Sequence, residues 1–208
     1  MVGDQVSLWV TIPTAGDRAD LLETLVRQCG VKPSNIVIVR TRPCRTPLGV
    51  HVLDDYGPVN IHRWWNAGID FAQQQGATHV AVLNDDLVLD PSAIAELVRA
   101  QDITGATIAS PGAVWQHVTD GPAHTRDRRI VGWCFVLDLS SGVRPNEDYS
   151  WWFGDDELDF DARIDGSGVV LVPVNVKHPL ANLHTEQSPQ LQELAAADER
   201  LFRERWEE

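Results

Sequence analysis

The sequence predicts an α/β fold with a mostly parallel central sheet and helices on both faces. Three observations carry the prediction. Strand-like and helix-like segments alternate over the first hundred residues, the pattern of β-α units whose crossovers cover a parallel sheet. A length of 208 residues suits one well-buried α/β domain and would cramp two. In AVLNDDLVLD, residues 81 to 90, an apolar run ends abruptly in carboxylates, and in such folds ligands bind outside the carboxyl ends of strands.

The elements follow in order. SLWVTIP (7 to 13) is β-branched and apolar and reads as a strand; Asp17 or Asp20 then opens a helix through ADLLETLVRQCG, closed by Gly30. NIVIV (35 to 39) is a second buried strand and residues 50 to 53 a short third. NIHRWWNAGIDFAQQQGA carries helical spacing from Ile61 through Trp65, Ile69 and Ala72 to a stop at Gly76. THVAVLNDD is the fourth strand. In DPSAIAELVRA, Asp90 suits an N-cap and Pro91 a first helical residue. Residues 115 to 129 show no periodicity and are expected to form a mobile loop. IVGWCFVLDL reads as a strand, DDELDFDARIDG as a short helix, GVVLVPVNVKH as one late strand, and the last twenty residues as a charged amphipathic helix that packs on the body or on a second subunit. The expected organisation is a single domain over 1–208: a ligand-binding half to about residue 100, a second half over 101–186, and the helix over 187–208.

Composition narrows the function. The net charge of −13 opposes a phosphate backbone and disfavours nucleic acid as a partner. No apolar run approaches the ~18 residues of a membrane span, and the N-terminus lacks the basic start of an export signal, so a cytoplasmic protein is expected. Cys29, Cys44 and Cys134 are widely spaced and form no C-x-x-C pair, which argues against a disulfide framework or zinc knuckle. The cluster Arg126, Asp127, Arg128, Arg129 reads as a solvated loop rather than an anion site.

Two acidic groups invite chemistry. On an extended strand Asn84 and Asp86 project to one side and Asp85 to the other. Two oxygen donors on one face suit Mn²⁺ or Mg²⁺ bound to a diphosphate, although the same residues also serve simply to end a strand. In WWFGDDELDFDAR, Asp155, Asp156 and Glu157 gather at a helix start, more acids than capping needs, behind Trp151, Trp152 and Phe153.

VTIPTAGDRADLLETLVRQ, NIHRWWNAGIDFA, VAVLNDDLVLDPSAIAELV, VGWCFVLD, DDELDFDARIDGSG and VLVPVNVKH, in this order, resemble family 2 glycosyltransferases of the GT-A fold over about residues 7 to 184. The resemblance implies a GT-A-type, Rossmann-like domain and a metal-dependent, inverting transfer from a nucleotide-diphosphate sugar to an acceptor hydroxyl on a glycan, small molecule or protein. By the same resemblance Asp86 matches the metal-ligating position, with Asn84 and Asp85 beside the diphosphate. Thr11, Pro13 and Thr14 match the segment lining the nucleotide pocket. The general base falls within the triplet, Asp156 first, then Glu157, then Asp155, and its place at a helix N-terminus should keep it ionised at neutral pH. His178, or else His184, is expected at the same metal, while Trp133 and Trp152 lie where the acceptor should bind.

The sequence also departs from the family. The Asp expected after the second strand is replaced by Arg40, Thr41 and Arg42, leaving Asp54 or Asp55 to read the base, and Trp65 rather than Arg precedes Asn66. Two alternatives remain: a sugar nucleotidyltransferase, for which TIPTAGDRAD offers only Gly16 and Arg18 as an echo of a phosphate loop, and a non-catalytic carbohydrate- or nucleotide-binding protein.

Overall fold

Strand β1 (Leu8–Thr14) forms where β-branched and aromatic residues run together, and it lies at the centre of the architecture. The computed structural model describes residues 6–121, 128–181 and 183–206. His124, Arg126 and Asp127 lie outside the described residues. Helix α1 (Ala19–Gln28) follows, sinking Leu22 and Leu25 completely; burial of each stabilises by about 1.5–3 kcal/mol. Then come β2 (Ile36–Arg40), β3 (His51–Asp54), α2 (Ile61–Gln74) and β4 (His79–Leu83). The Asn60 side chain caps α2 by accepting from the Arg63 amide at 2.8 Å. These four strands are parallel in the order β3-β2-β1-β4, so their carboxyl ends share one sheet edge. Helix α2 packs so closely on β1 that a Cβ at Gly68 would stand 1.7 Å from Thr11 Oγ1, and no larger residue fits that crossing.

The second half completes the sheet. After β5 (Val88–Leu89) and α3 (Ala93–Thr104) come β6 (Ile108–Pro111), β7 (Gln116–Val118), β8 (Cys134–Asp138), α4 (Gly154–Ile164), β9 (Val169–Val172), β10 (Val176–Lys177), α5 (Leu183–Gln187) and α6 (Pro189–Trp206). Among the described residues the main sheet has eight strands, ordered β3-β2-β1-β4-β8-β6-β9-β7, with β8 and β7 running against the rest. Alternate residues of β4 and β8 feed two cores. Ala81, Leu83, Cys134 and Val136 meet α1 and α3 on one face, while Val80, Val82, Phe135 and Leu137 meet α2 and α4 on the other. Helices therefore cover both faces of a mostly parallel α/β sheet, as expected.

Several boundaries differ from the sequence expectation. Strand β4 stops at Leu83, because Asn84 to Asp86 turn away, so strand alternation does not govern how those three side chains point. Helix α3 begins at Ala93; Asp90 caps the preceding turn instead, accepting from the Ser92 amide at 3.1 Å. The stretch expected to be a mobile loop contains β7, which pairs with β9. The late strand divides at Pro173, which lacks the N–H a ladder needs, and its second piece joins β5 in a separate antiparallel pair. Helix α6 packs on the body: Phe202 meets Phe153 and Phe160 at ring distances of 5.3 and 5.6 Å. No helix among the described residues is long and apolar enough to cross a membrane.

Candidate active site

A cleft of about 510 Å³ opens at the carboxyl edge of the parallel strands. Its floor follows from topology. Parallel pairing brings the ends of β1 and β4 side by side, placing Pro13, Thr14 and Arg18 next to Asn84, Asp85 and Asp86. The antiparallel β8 starts at the same edge and contributes Gly132 and Trp133. The two-residue ladder of Val176 with Leu89 and Lys177 with Val88 then carries His178 back over Asp86.

Asp85 and Asp86 differ in their surroundings. Thr14 Oγ1 donates to Asp85 at 2.6 Å, yet burial prevails and raises the Asp85 pKa above the ordinary carboxylate value. Asp86 is 1% exposed. Burial pushes its pKa up, but His178 and the Arg18 guanidinium outweigh that and hold it below the usual range. Arg18 contacts Asp86 Oδ2 and lies 3.6 Å from Asp85. His178 Nε2 stands 3.0 Å from Asp86 Oδ1, an ion-pair contact not aligned as a hydrogen bond, and His178 Nδ1, on the far side of the ring, is likewise buried without a hydrogen-bond partner. Trp133 packs against the His178 ring at 5.3 Å. His184 also lines the cleft.

These donors fit a hard divalent cation. A buried carboxylate oxygen without a partner is costly unless something fills it, and two cis ligands of an octahedral ion with bonds near 2.1 Å stand roughly 3.0 Å apart, the spacing of Asp86 Oδ1 and His178 Nε2. Among the described residues no three His, Cys, Asp or Glu side chains cluster as a complete metal cage. An ion here would take its remaining ligands from water and diphosphate, as Mg²⁺ commonly does.

The acidic triplet at the start of α4 divides three ways. Asp155 lines the cleft and accepts from the Gly132 amide at 3.0 Å. Burial, then the charge of Asp156, pushes its pKa up to about 7. Asp156 is engaged by Arg129 instead. Glu157 points to the other side, where Asn146 at 2.6 Å, Trp206 at 3.0 Å, Arg205 at 3.1 Å and the Tyr149 hydroxyl saturate it. Of the three acids only Asp155 lines the cleft, because α4 begins at Gly154 and its first turn aims Asp155 inward. At Asp155 desolvation exceeds the benefit of the helix end, so the helix N-terminus alone does not hold its carboxyl at the ordinary value.

Other expected residues scatter. Pro13, Thr14, Trp133 and Trp152 line the cleft. Thr11 does not, being fully buried under Gly68. Asp55 is bound by Arg63 at 2.9 Å, and Asp54 by Arg40 at 2.7 Å, in pairs that tie β2, β3 and α2 together outside the cleft. Asn66 is likewise remote, donating to Pro145 O and Glu147 at 2.9 Å. Arg128 pairs with Asp120 at 2.7 Å.

Sequence reasoning missed Arg42, Trp64 and Trp65 as cleft residues, and Trp151, expected only as part of an aromatic run, joins them in the wall. Trp151 and Trp152 are positioned by a remote residue. Asp198 of α6, 4% exposed, accepts from the amides of Ser150 at 3.0 Å, Trp151 at 2.6 Å and Trp152 at 2.9 Å. The next residue, Phe153, holds φ at 64°, the one positive value outside glycine among the described residues. A bulky residue tolerates that only when its neighbours enforce it, and the Asp198 clasp with the Phe202 contact does so.

No protein-family model matches the sequence, and no curated protein is similar to it at a significant level. Solved structures do match. Staphylococcus aureus TarS residues 1–349, a GT-A glycosyltransferase of family 2, superposes with a TM-score of 0.60 at 10% identity over 81% of this chain and 58% of that one. Longer TarS gives 0.60 at 10% identity over 80% of this chain and 35% of that one. TarS 1–349 in complex with UDP-GlcNAc gives 0.59 at 12% identity, covering 81% and 56%. The chain has the GT-A fold and spans under two thirds of the TarS chains it matches.

Proposed function

We propose that this chain is an inverting glycosyltransferase that moves a sugar from a nucleotide-diphosphate sugar to an acceptor hydroxyl, with Asp155 as general base. One observation carries the proposal: on a GT-A sheet, Asp86 with His178 and the pKa-raised Asp155 open into a single cleft. The likeness to TarS, solved with UDP-GlcNAc, supports a nucleotide-sugar donor.

The chemistry follows from the walls. Thr14, Arg18, Asn84 and Asp85 line the side where the diphosphate would lie, and Trp151 and Trp152 offer aromatic faces for an acceptor ring. The Asp155 carboxylate takes the acceptor proton as that oxygen bonds to the anomeric carbon; the bond to the phosphate oxygen breaks from the opposite face and its electron pair leaves with the nucleoside diphosphate. A pKa near 7 matches a base working at neutral pH. Mn²⁺ or Mg²⁺, which Asp86 and His178 would hold, supplies positive charge to the departing diphosphate when bound.

The test is a panel of nucleotide sugars with Mn²⁺, UDP-GlcNAc first, read by nucleoside diphosphate release and by sugar transfer to simple hydroxyl acceptors. Diphosphate release that depends on Asp86 and Asp155 is expected. Consumption of added pyrophosphate, with release of sugar 1-phosphate and a nucleoside triphosphate, would instead indicate nucleotidyl transfer, and binding without turnover of any donor would indicate a binding module; either result refutes the assignment.

A further inference from the structure

Arg18 stands where a metal-binding carboxylate ought to be open. It follows β1, is 11% exposed in its side chain, and reaches under the cleft to touch Asp86 Oδ2 while standing 3.6 Å from Asp85. Two adjacent buried carboxylates repel one another, and a guanidinium between them relieves that repulsion. The relief is one-sided. Arg18 meets Asp86 Oδ2 alone, while Asp86 Oδ1 on the cleft side has only His178 Nε2, 3.0 Å away, and no hydrogen bond.

We infer that Arg18 is a tethered counter-cation: it neutralises Asp85 and Asp86 before ligands arrive, and it is transferred from Asp86 to the donor diphosphate when a divalent cation takes the Asp86 and His178 pair. The inference rests on the proposed donor site and adds a residue and an order of events to it. A cation at Asp86 Oδ1 and His178 Nε2 lies within a few ångströms of a guanidinium on Asp86 Oδ2, and their mutual repulsion weakens both contacts to the carboxylate. The incoming diphosphate supplies the negative charge that the guanidinium loses, and its planar fork matches phosphate oxygens in pairs. Thr14 and Arg42 also line the cleft, and the Thr14 hydroxyl already donates to the Asp85 carboxylate beside Arg18.

The experiment measures Mn²⁺ alone by electron paramagnetic resonance, and UDP at saturating Mn²⁺ by calorimetry, in wild type, Arg18→Ala and Arg18→Lys. Arg18→Ala should bind Mn²⁺ about tenfold or more tighter than wild type, because a competing charge is gone, and should bind UDP at least about tenfold more weakly. Arg18→Lys should return Mn²⁺ affinity to the wild-type value and recover UDP affinity only in part. Arg18→Gln, uncharged but similar in length, replaces alanine if that variant does not fold. Unchanged or weaker Mn²⁺ binding on loss of the charge, with wild type still binding UDP and Mn²⁺, overturns the inference and leaves the donor site standing. Failure of wild type to bind Mn²⁺ or UDP overturns the donor-site reading and this inference with it.

Discussion

Replacing Asp155 by Asn tests the base assignment in two independent ways. The substitution keeps the size of the side chain and an oxygen that can accept from the Gly132 amide, now 3.0 Å away, while removing the proton acceptor. A positioned base is worth about 10²–10⁴ in rate, so kcat should fall by that factor, about 3–5 kcal/mol in the barrier, with donor affinity little changed. Wild-type transfer should lose about tenfold per pH unit below a pKa of about 7, and the Asn variant should lack that limb. Stability provides the second reading. The folded pKa lies above the ordinary 3.8, so between about pH 4 and 7 the native chain keeps a proton that the unfolded chain has released. Asp155 therefore contributes stability that is present at acid pH and is lost as pH rises through about 7. Urea unfolding should find Asp155→Asn equal to wild type near pH 4 and more stable near pH 8 by on the order of 4 kcal/mol, from a rise of about three pKa units. An Asn variant with wild-type kcat, or one whose stability tracks wild type across this range, would refute the reasoning.

Two further substitutions probe the supports of the site. Gly132→Ala puts a Cβ 2.6 Å from Asp155 Oδ2, so the carboxylate must move; transfer should drop by about tenfold or more, as misplacement of a reacting group does, while UDP binding measured by calorimetry stays near wild type. Asp198→Ala strips three amides of a buried acceptor; it should cost about 2–4 kcal/mol in denaturant unfolding and raise the acceptor KM more than the donor KM, and an unchanged acceptor KM would disconnect α6 from the cleft.

What the sequence disclosed, and what it did not, follows from the range of the forces involved. The first four strands, α1 and α2 were legible because periodicity and turn residues are local: Ile61, Trp65, Ile69 and Ala72 repeat at helical spacing, and Gly76 ends the helix at φ 84°. Strand β5 was hidden because two residues carry no periodicity, and its pairing with Val176 and Lys177 is entirely long-range. That same pair places His178 beside Asp86. The division of the acidic triplet was hidden for a related reason. Three consecutive acids look alike in sequence, and only the partners Gly132, Arg129 and Arg205, each remote along the chain, tell Asp155, Asp156 and Glu157 apart. Asp55 and Asn66 misled because a polar residue near a strand end can equally serve a local ion pair or a loop anchor, as Arg63 and Pro145 show.

The two walls of the cleft rest on different kinds of support, and this has a consequence for how the site can vary. Thr14 ends β1, and Asp85 and Asp86 follow directly on β4, two central strands paired on both sides, so the sheet sets where this wall begins. Trp151 and Trp152 lie on a segment outside the sheet, and their backbone amides are held by one carboxylate from α6. Changing residues in the first wall disturbs the core. Changing residues in the second disturbs one loop and one helix, since Glu157, Tyr149 and Arg205 form a separate polar network behind it. Substitutions at Trp152, 41% exposed, should therefore alter which ring the cleft accepts at little cost in stability, whereas substitutions at Asp86 take from His178 the carboxylate it contacts and leave Arg18 with Asp85 alone.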